Sequence, residues 1–401
     1  MTETPHAVIA GAGIGGLAAA LALARAGLRA TLLERARALE EAGAGIQIAP
    51  NATGVLAELG MLERVMKVAL APEHLRIRRA RDGVELAQFP LGVIAETRWG
   101  APYAVIHRAD LQGLLLEACA AHPAITLETG ATVTGFAESA HGVEVAITQD
   151  DGLRRLGADL LIGADGLRSS IRARMGLGLD DQPVWSGRTA WRALVPADEA
   201  PKSALKLETS LWVGAKAHLV HYPLRRGALI NIVAITEDAW RGEEAADLWA
   251  ISGKPAEVSP RFSSWHRDAR QLVAAARVWK RWPLFDRNPV NRWTLDRVAL
   301  LGDAAHPMLP FFAQGAAQAI EDAGALGRAF AGAPDIKTAL TNYERARTAR
   351  AGAVVIASRR QGAIYHMSGP LALARDLAMR SLSPHLMMAR LDWLYDYKGR
   401  I

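Results

Sequence analysis

Three short stretches of this 401-residue chain set glycines and acids at the ends of apolar runs. The first is Gly11-Ala12-Gly13-Ile14-Gly15-Gly16. A glycine at 11 permits a tight turn. One at 13 lets backbone approach a pyrophosphate, and one at 16 lets a helix lie close to a strand. The free N–H groups opening that helix, with its positive dipole end, then face the phosphates. Glu34 follows Gly16 by 18 residues, at the tip of the next apolar run. There it is placed to accept hydrogen bonds from ribose hydroxyls. The motif alone does not choose between a flavin and a nicotinamide dinucleotide.

The second stretch is Gly163-Ala164-Asp165-Gly166, which ends the run Leu160-Leu161-Ile162. The third is Gly302-Asp303-Ala304-Ala305-His306-Pro307, which ends Val298-Ala299-Leu300-Leu301. Open α/β sheets bind ligands at such strand ends. Singly, either acid reads equally well as a turn or a helix cap. A different kind of chemistry is offered by Ala217-His218-Leu219-Val220-His221-Tyr222. Strand alternation puts His218 and Tyr222 on one face and His221 on the other, where it reads as structural or exposed. Arg192 is available to attract a carboxylate or a coenzyme, with surface pairing as the alternative. His306, between two alanines and a proline, reads as a loop-orienting residue.

The elements that must position these residues begin as a strand over 8–10, a turn, an alanine-rich helix over 17–25 and a strand over 30–33. This is the mononucleotide half of a doubly wound sheet. A helix is expected over 111–121, a strand over 143–148, and a turn at Asp150-Asp151-Gly152. From about Val184 the composition shifts, and nine of the eleven tryptophans lie between Trp185 and Trp293. Apolar strands there predict an antiparallel sheet, with the tryptophans as core packing. The fold expected is α/β: a Rossmann-like dinucleotide domain with an inserted antiparallel β-sheet substrate domain and a C-terminal helical region. The dinucleotide domain takes 1–75, 98–180 and 285–335, the sheet domain 76–97 and 181–284, and the helical region 336–401.

Composition narrows the class. Half the residues are hydrophobic and 22% are charged, as in an ordinary globular protein. The net charge of +6 comes without a lysine block or aromatic-basic repeat, which argues against nucleic acid and fits small anions. The lone Cys119 has no internal partner and reads as a small buried hydrophobe, pointing to a reducing, cytoplasmic setting. The apolar run from Val8 to Ala26 is interrupted by glycines, so a strand, turn and helix explain it better than a membrane span.

Taken together and in order, these motifs resemble the single-component FAD-dependent aromatic hydroxylases. That family includes 4-hydroxybenzoate 3-hydroxylase, salicylate hydroxylase, 3-hydroxybenzoate 6-hydroxylase and 6-hydroxynicotinate 3-monooxygenase. The resemblance covers nearly the whole chain. It extends to the segments 43–51, 107–111, 313–316, 320–323 and 343–350.

The resemblance implies FAD as cofactor, with NADH or NADPH as a transient electron donor. Gly11, Gly13, Ile14, Gly16, Glu34 and Arg35 would surround the ADP half. Arg108 would lie along the phosphates or ribose, Asp303 with Gly302 near the ribityl or pyrophosphate, and Asp165 near both coenzymes. Gln314, Gly315 and Ala316 would face the flavin ring, with Gly45 and Gln47 between flavin and substrate. Reduced flavin would add O2 to give a C4a-hydroperoxide, which an activated ring then attacks. Tyr222 and His218 are the expected catalytic pair. Gln47, Arg192, Pro310 and Phe312 join them as substrate contacts.

The chain departs from its relatives at Phe311 and Phe312, where several carry histidine or tyrosine, and at Gln47, where the hydroxynicotinate enzyme has histidine. No relative's substrate therefore transfers directly. The substrate class implied is a hydroxybenzoate, a salicylate or a heteroaromatic acid; the sequence leaves open whether the chain is a monomer or a homodimer. Two other readings remain: a hydroxylase or epoxidase of a lipophilic polyprenyl phenol or polyketide, with Leu386 to Leu394 touching a membrane, and a redox-inactive binding protein.

Overall fold

A computed structural model describes residues 4–39, 44–150, 152–178, 181–239, 251–397 and 399. Asp151 of the expected turn lies outside them.

The strand His6–Ala10 sits inside a five-stranded parallel sheet. Arg29–Glu34 and then Ile125–Thr129 lie on one side, Leu160–Gly163 and then Val298–Leu300 on the other. The chain thus leaves its first strand in one direction and returns on the opposite side. That reversal opens a crevice beyond the strands' carboxyl ends.

The helix Ile14–Arg25 is apolar on every face, and all but two of its residues are buried. Such a helix must be covered all round. The sheet covers it on one side and the helix Gly315–Gly332 on another. Gly15 makes the second approach possible: a Cβ there would stand 2.8 Å from the Leu301 side chain and 3.1 Å from Ala319. A three-stranded antiparallel meander, Thr132–Glu138, Val143–Gln149 and Gly152–Ala158, adds Val133, Val145 and Ile147 to the same core.

The second large element is an eight-stranded sheet. Its order is Ile251–Gly253, Trp279–Asp286, Val184–Pro196, Leu229–Glu237, Ala217–Leu224, Glu208–Gly214, His74–Arg79 and Glu85–Pro90. It is antiparallel except where 208–213 runs parallel to 74–79. Those two segments are far apart in sequence and joined by a long crossover, so no hairpin dictates their direction.

One face buries Trp191, Trp212, Trp265 and Trp279 against the amphipathic helix Arg267–Ala275. These four are core, as the clustering suggests, and so is Trp293 in the nucleotide half; Trp185 and Trp282 are only half-buried, and Trp240 and Trp249 lie outside the described residues. The other face looks toward the nucleotide half and the C-terminal helices. The longest of these, Ile336–Tyr365, opens with the Asp335 side chain accepting from the Thr338 N–H at 2.8 Å. Among the described residues no helix is long and apolar enough to cross a membrane.

Candidate active site

The three acid-glycine segments meet in space. Strands 6–10, 160–163 and 298–300 are neighbours, so their following loops lie side by side. Ala164 N–H donates to Ala10 O at 2.9 Å, and Leu301 N–H to Gly163 O at 2.9 Å. Gly11 has φ +107°, and a Cβ there would sit 2.5 Å from Ala164 O. A Cβ at Gly16 would sit 2.0 Å from Gly11 O, so the helix could not close on the turn. Both glycines are therefore required by the fold itself.

Gly13 is different. Its φ of −70° suits any residue, and a Cβ there would meet nothing within 4 Å. It borders open space at the start of a helix with no side-chain cap and no acid in its first turn. That space is a cradle for an anion. Glu34 borders it, accepting from Ala12 N–H and Ala36 N–H, each at 2.9 Å.

The far end of the crevice has matching features. The helix Gly315–Gly332 also lacks a side-chain cap and a first-turn acid. Gln314 is buried, and its Nε2 has no hydrogen-bond partner. The Asp303 carboxylate lies deep but keeps open surface toward the crevice; desolvation raises its pKa, opposed by His306 and Arg108. Burial likewise lowers the pKa of Arg108, and Asp303 counters it. These groups fit FAD. A diphosphate would answer Gly13, a ribose Glu34, a polyol Asp303, and an electron-rich ring edge the 314–316 amides.

Asp165 is placed differently from a free ligand. Its Oδ2 caps the helix Ser170–Met175, accepting from Ser170 N–H at 2.7 Å, while its buried Oδ1 is unpartnered. Arg35 is exposed beside Glu34, and Ile14 is buried under the turn.

Beneath the cradle lies a buried charge network. Arg347 is fully buried; its Nε donates to Asp322 at 2.7 Å and its Nη1 to Glu321. Asp322 also accepts from Gly302 N–H at 2.9 Å and pairs with His306 Nε2 at 2.6 Å. Glu321 reaches Asn51, whose amide donates to Gln314 at 2.9 Å. The acids at 321 and 322 thus hold both loops that face the crevice. The motif was visible in sequence, but not what it binds.

Across the crevice stands the inner face of the eight-stranded sheet. Directly paired residues on antiparallel strands share a face. Arg192 pairs with Val233, and Val233 with Val220. Arg192 therefore shares a face with Val220, and hence with His218 and Tyr222. Trp191, Leu219 and Ala234 point the other way, into the tryptophan core. His221 is on that side too, accepting from Trp212 Nε1 at 3.2 Å; it is structural, and burial lowers its pKa to about 4.

Arg192 is not a surface pair. Its guanidinium stacks 4.4 Å from the Trp282 ring, its Nε has no hydrogen-bond partner, and desolvation lowers its pKa to about 10. Its charge is felt by Tyr222 and Arg108. Tyr222 is buried, and burial raises its pKa, with Arg192 and the adjoining Gln47 amide pulling it down. Gln47 also accepts from Tyr103 OH. Gly45 fits a tight place: a Cβ would stand 2.6 Å from the Tyr222 ring, and its N–H donates to Asn231 Oδ1 at 2.7 Å.

Phe312 packs, partly buried, on the apolar cluster that holds Tyr222, and Pro310 opens the short turn that carries it. Phe311 is the more buried of the neighbouring phenylalanines and lies 5.4 Å from the His218 ring. Residues the sequence did not reveal are Tyr103, Tyr365 and His366, which approach from other segments. No spacing links them to Tyr222. Among the described residues no cluster could hold a metal ion.

Fold and crevice together define a flavoprotein in which one nucleotide cradle faces a separate, sheet-built pocket. The chain belongs to the FAD-binding domain family, whose model matches residues 4–358. It is similar to 3-hydroxybenzoate 6-hydroxylase 1 of Aquipseudomonas alcaligenes, at 40% identity over 97% of this chain and 96% of that protein. The 3-amino-4-hydroxybenzoate 2-monooxygenase of Streptomyces platensis is 37% identical over 99% of this chain and 97% of its own length. Among solved structures, Klebsiella pneumoniae HpxO with FAD and uric acid matches with a TM-score of 0.84 and 29% identity, covering 96% of this chain and 95% of that one. The chain is an FAD-dependent aromatic hydroxylase.

Proposed function

We propose that this enzyme uses NADH or NADPH and O2 to hydroxylate a small phenol bearing a carboxylate, of the hydroxybenzoate class. The observation that carries the reading is Arg192: a deeply placed guanidinium without an anion, sharing a face with Tyr222 and His218. A half-buried, desolvated cation without an anion is costly, and a substrate carboxylate would supply the missing partner. A lipophilic polyprenyl phenol would leave it unmatched.

Bound FAD supplies the redox chemistry and the activation of oxygen. The chain's residues do the rest. Gly13, Glu34 and Asp303 would hold the cofactor from phosphate to polyol, and the 314–316 amides would hold its ring edge. Arg192 fixes the carboxylate end of the substrate. Tyr222, kept neutral by burial, is a hydrogen-bond donor that orients the ring and is not itself a base. His218 is also held neutral by desolvation, so its free imidazole nitrogen can accept the phenolic proton. Losing that proton makes the ring electron-rich where the new oxygen attaches. Phe311, Phe312 and Pro310 wall off water, which limits waste of the activated oxygen.

The test is a panel of 2-, 3- and 4-hydroxybenzoate, hydroxynicotinates and uncharged phenols. Coenzyme oxidation and peroxide release are measured together. The reading expects a carboxylated phenol to stimulate oxidation with hydroxylated product in place of peroxide. Preference for uncharged, lipophilic phenols would contradict it.

A further inference from the structure

His218 does not end in the pocket wall. Its Nδ1 lies 2.8 Å from His366 Nε2, and the two rings are 5.1 Å apart between centroids. His366 caps the end of the helix Ile336–Tyr365, and its carbonyl accepts from Lys216 N–H at 3.2 Å. On its other side, His366 Nδ1 accepts from Arg188 Nε–H at 3.4 Å and lies 3.4 Å from Glu237 Oε1, which is itself 4.0 Å from Arg188 Nη2. Glu237 closes the strand Leu229–Glu237 and is exposed, whereas both histidines are buried. Phe311 and Tyr365 pack on the His218 ring at 5.4 and 5.3 Å, sealing its flanks. A polar line therefore runs from the pocket face to solvent, walled by Phe311 and Tyr365 and flanked at His366 by Arg188 and Arg375.

We propose that His366 and Glu237 form, with His218, a proton wire that carries the substrate's phenolic proton out of the closed pocket. The proposal rests on the phenol reading above. In the ready setting, Arg188 turns from His366 to Glu237, His366 Nδ1–H faces Glu237, His218 Nδ1–H donates to His366 Nε2, and His218 Nε2 offers its lone pair to the pocket.

The phenol O–H bond breaks as an N–H forms at His218 Nε2. The Nδ1 proton passes to His366 Nε2, and the proton on His366 Nδ1 passes to the Glu237 carboxylate and on to water. Both rings end neutral in the opposite tautomer. His366 Nδ1 is then an acceptor, and Arg188 Nε–H is within reach to donate to it. The reverse shift resets the line: a proton from water enters at His366 Nδ1, and the proton on His218 Nε2 returns to the phenolate oxygen of the product. No ring stays charged, which suits the burial of both. His366 and Glu237 are positioning residues, because neither touches substrate.

The test uses the holoenzyme with 3-hydroxybenzoate, or whichever carboxylated phenol of the panel the wild type hydroxylates. His366→Ala is expected to slow hydroxylation about 10- to 100-fold, raise peroxide release and regain rate with added imidazole, while FAD content stays unchanged. Glu237→Gln alters only an exposed carboxylate and decides the matter if His366→Ala folds poorly. It is expected to slow hydroxylation several-fold and change the solvent deuterium isotope effect on that step. Wild-type hydroxylation rate and isotope effect in Glu237→Gln, or a His366→Ala defect that imidazole leaves untouched, would overturn the wire. A wild type that hydroxylates no phenol at all would overturn the underlying reading, and the wire with it.

Discussion

The parallel sheet and the eight-stranded sheet face one crevice but meet it with different parts of the chain. The five-stranded sheet presents backbone: glycine turns, two uncapped helix starts and two carboxylates at strand ends. The larger sheet presents side chains: Arg192, His218 and Tyr222, crossed by Gln47, Phe311 and Tyr365 from distant segments. Backbone recognition depends on a few glycines that cannot be exchanged. Side-chain recognition can be altered one residue at a time, which suits substrate choice.

The comparison is most severely strained by removing the charge that ties the cradle together. Arg347→Met removes the buried cation that Glu321 and Asp322 share, leaving Glu321 only Arg350 and Asp322 only His306. About 3–5 kcal/mol of stability should be lost. Urea unfolding at neutral pH checks this, and substrate preference measured on the surviving holoenzyme should not change. Altered preference without lost stability would mean that the network serves the pocket instead.

On the pocket side, Arg192→Gln should raise KM for a carboxylated phenol up to about 100-fold, the worth of one charged hydrogen bond of about 3 kcal/mol. An uncharged phenol should be indifferent, and FAD affinity should hold. Equal losses for both phenols would remove Arg192 as the carboxylate partner.

The network also sets an acid limit. Arg347 and His306 hold the Asp322 pKa down at about 2, against desolvation. A depressed carboxylate contributes stability above its unfolded pKa of about 4 and loses it as pH falls toward the folded value. About 2 kcal/mol should therefore disappear between about pH 4 and 2. In Asp322→Asn, unfolding curves should lack that part of the decline.

The smallest expected effect is at Tyr222→Phe, which removes one hydroxyl and leaves the ring against Gly45. Hydroxylation should fall about 10-fold, near the value of one neutral hydrogen bond, with FAD binding untouched. Rapid-quench product analysis would show it; a normal rate would take Tyr222 out of the mechanism.

The same contrast explains what the sequence disclosed. Gly11, Gly16 and Glu34 are legible because a turn and a close helix approach tolerate few residue types at fixed spacing. The tryptophan core and the Tyr222/His218 face follow from strand alternation. Tyr103, Tyr365 and His366 leave no such trace, since each reaches Gln47 or His218 through tertiary packing of a remote element. The parallel pairing of 74–79 with 208–213 is hidden for the same reason. Asp165 shows the converse: its motif was plain, yet one carboxylate oxygen serves the backbone of its own helix.

Gly13 offers the sharpest division between fold and cofactor. Its backbone accepts any side chain, and an aspartate there would even cap the helix. The decisive measurement is FAD titration of the apoprotein in wild type, Gly13→Asp and Arg192→Gln. The account predicts stoichiometric FAD in the first and third, and in Gly13→Asp a folded protein whose FAD affinity falls about 1000-fold or more through like-charge repulsion. Undiminished FAD binding by Gly13→Asp would contradict the cradle assigned to the three converging strand ends.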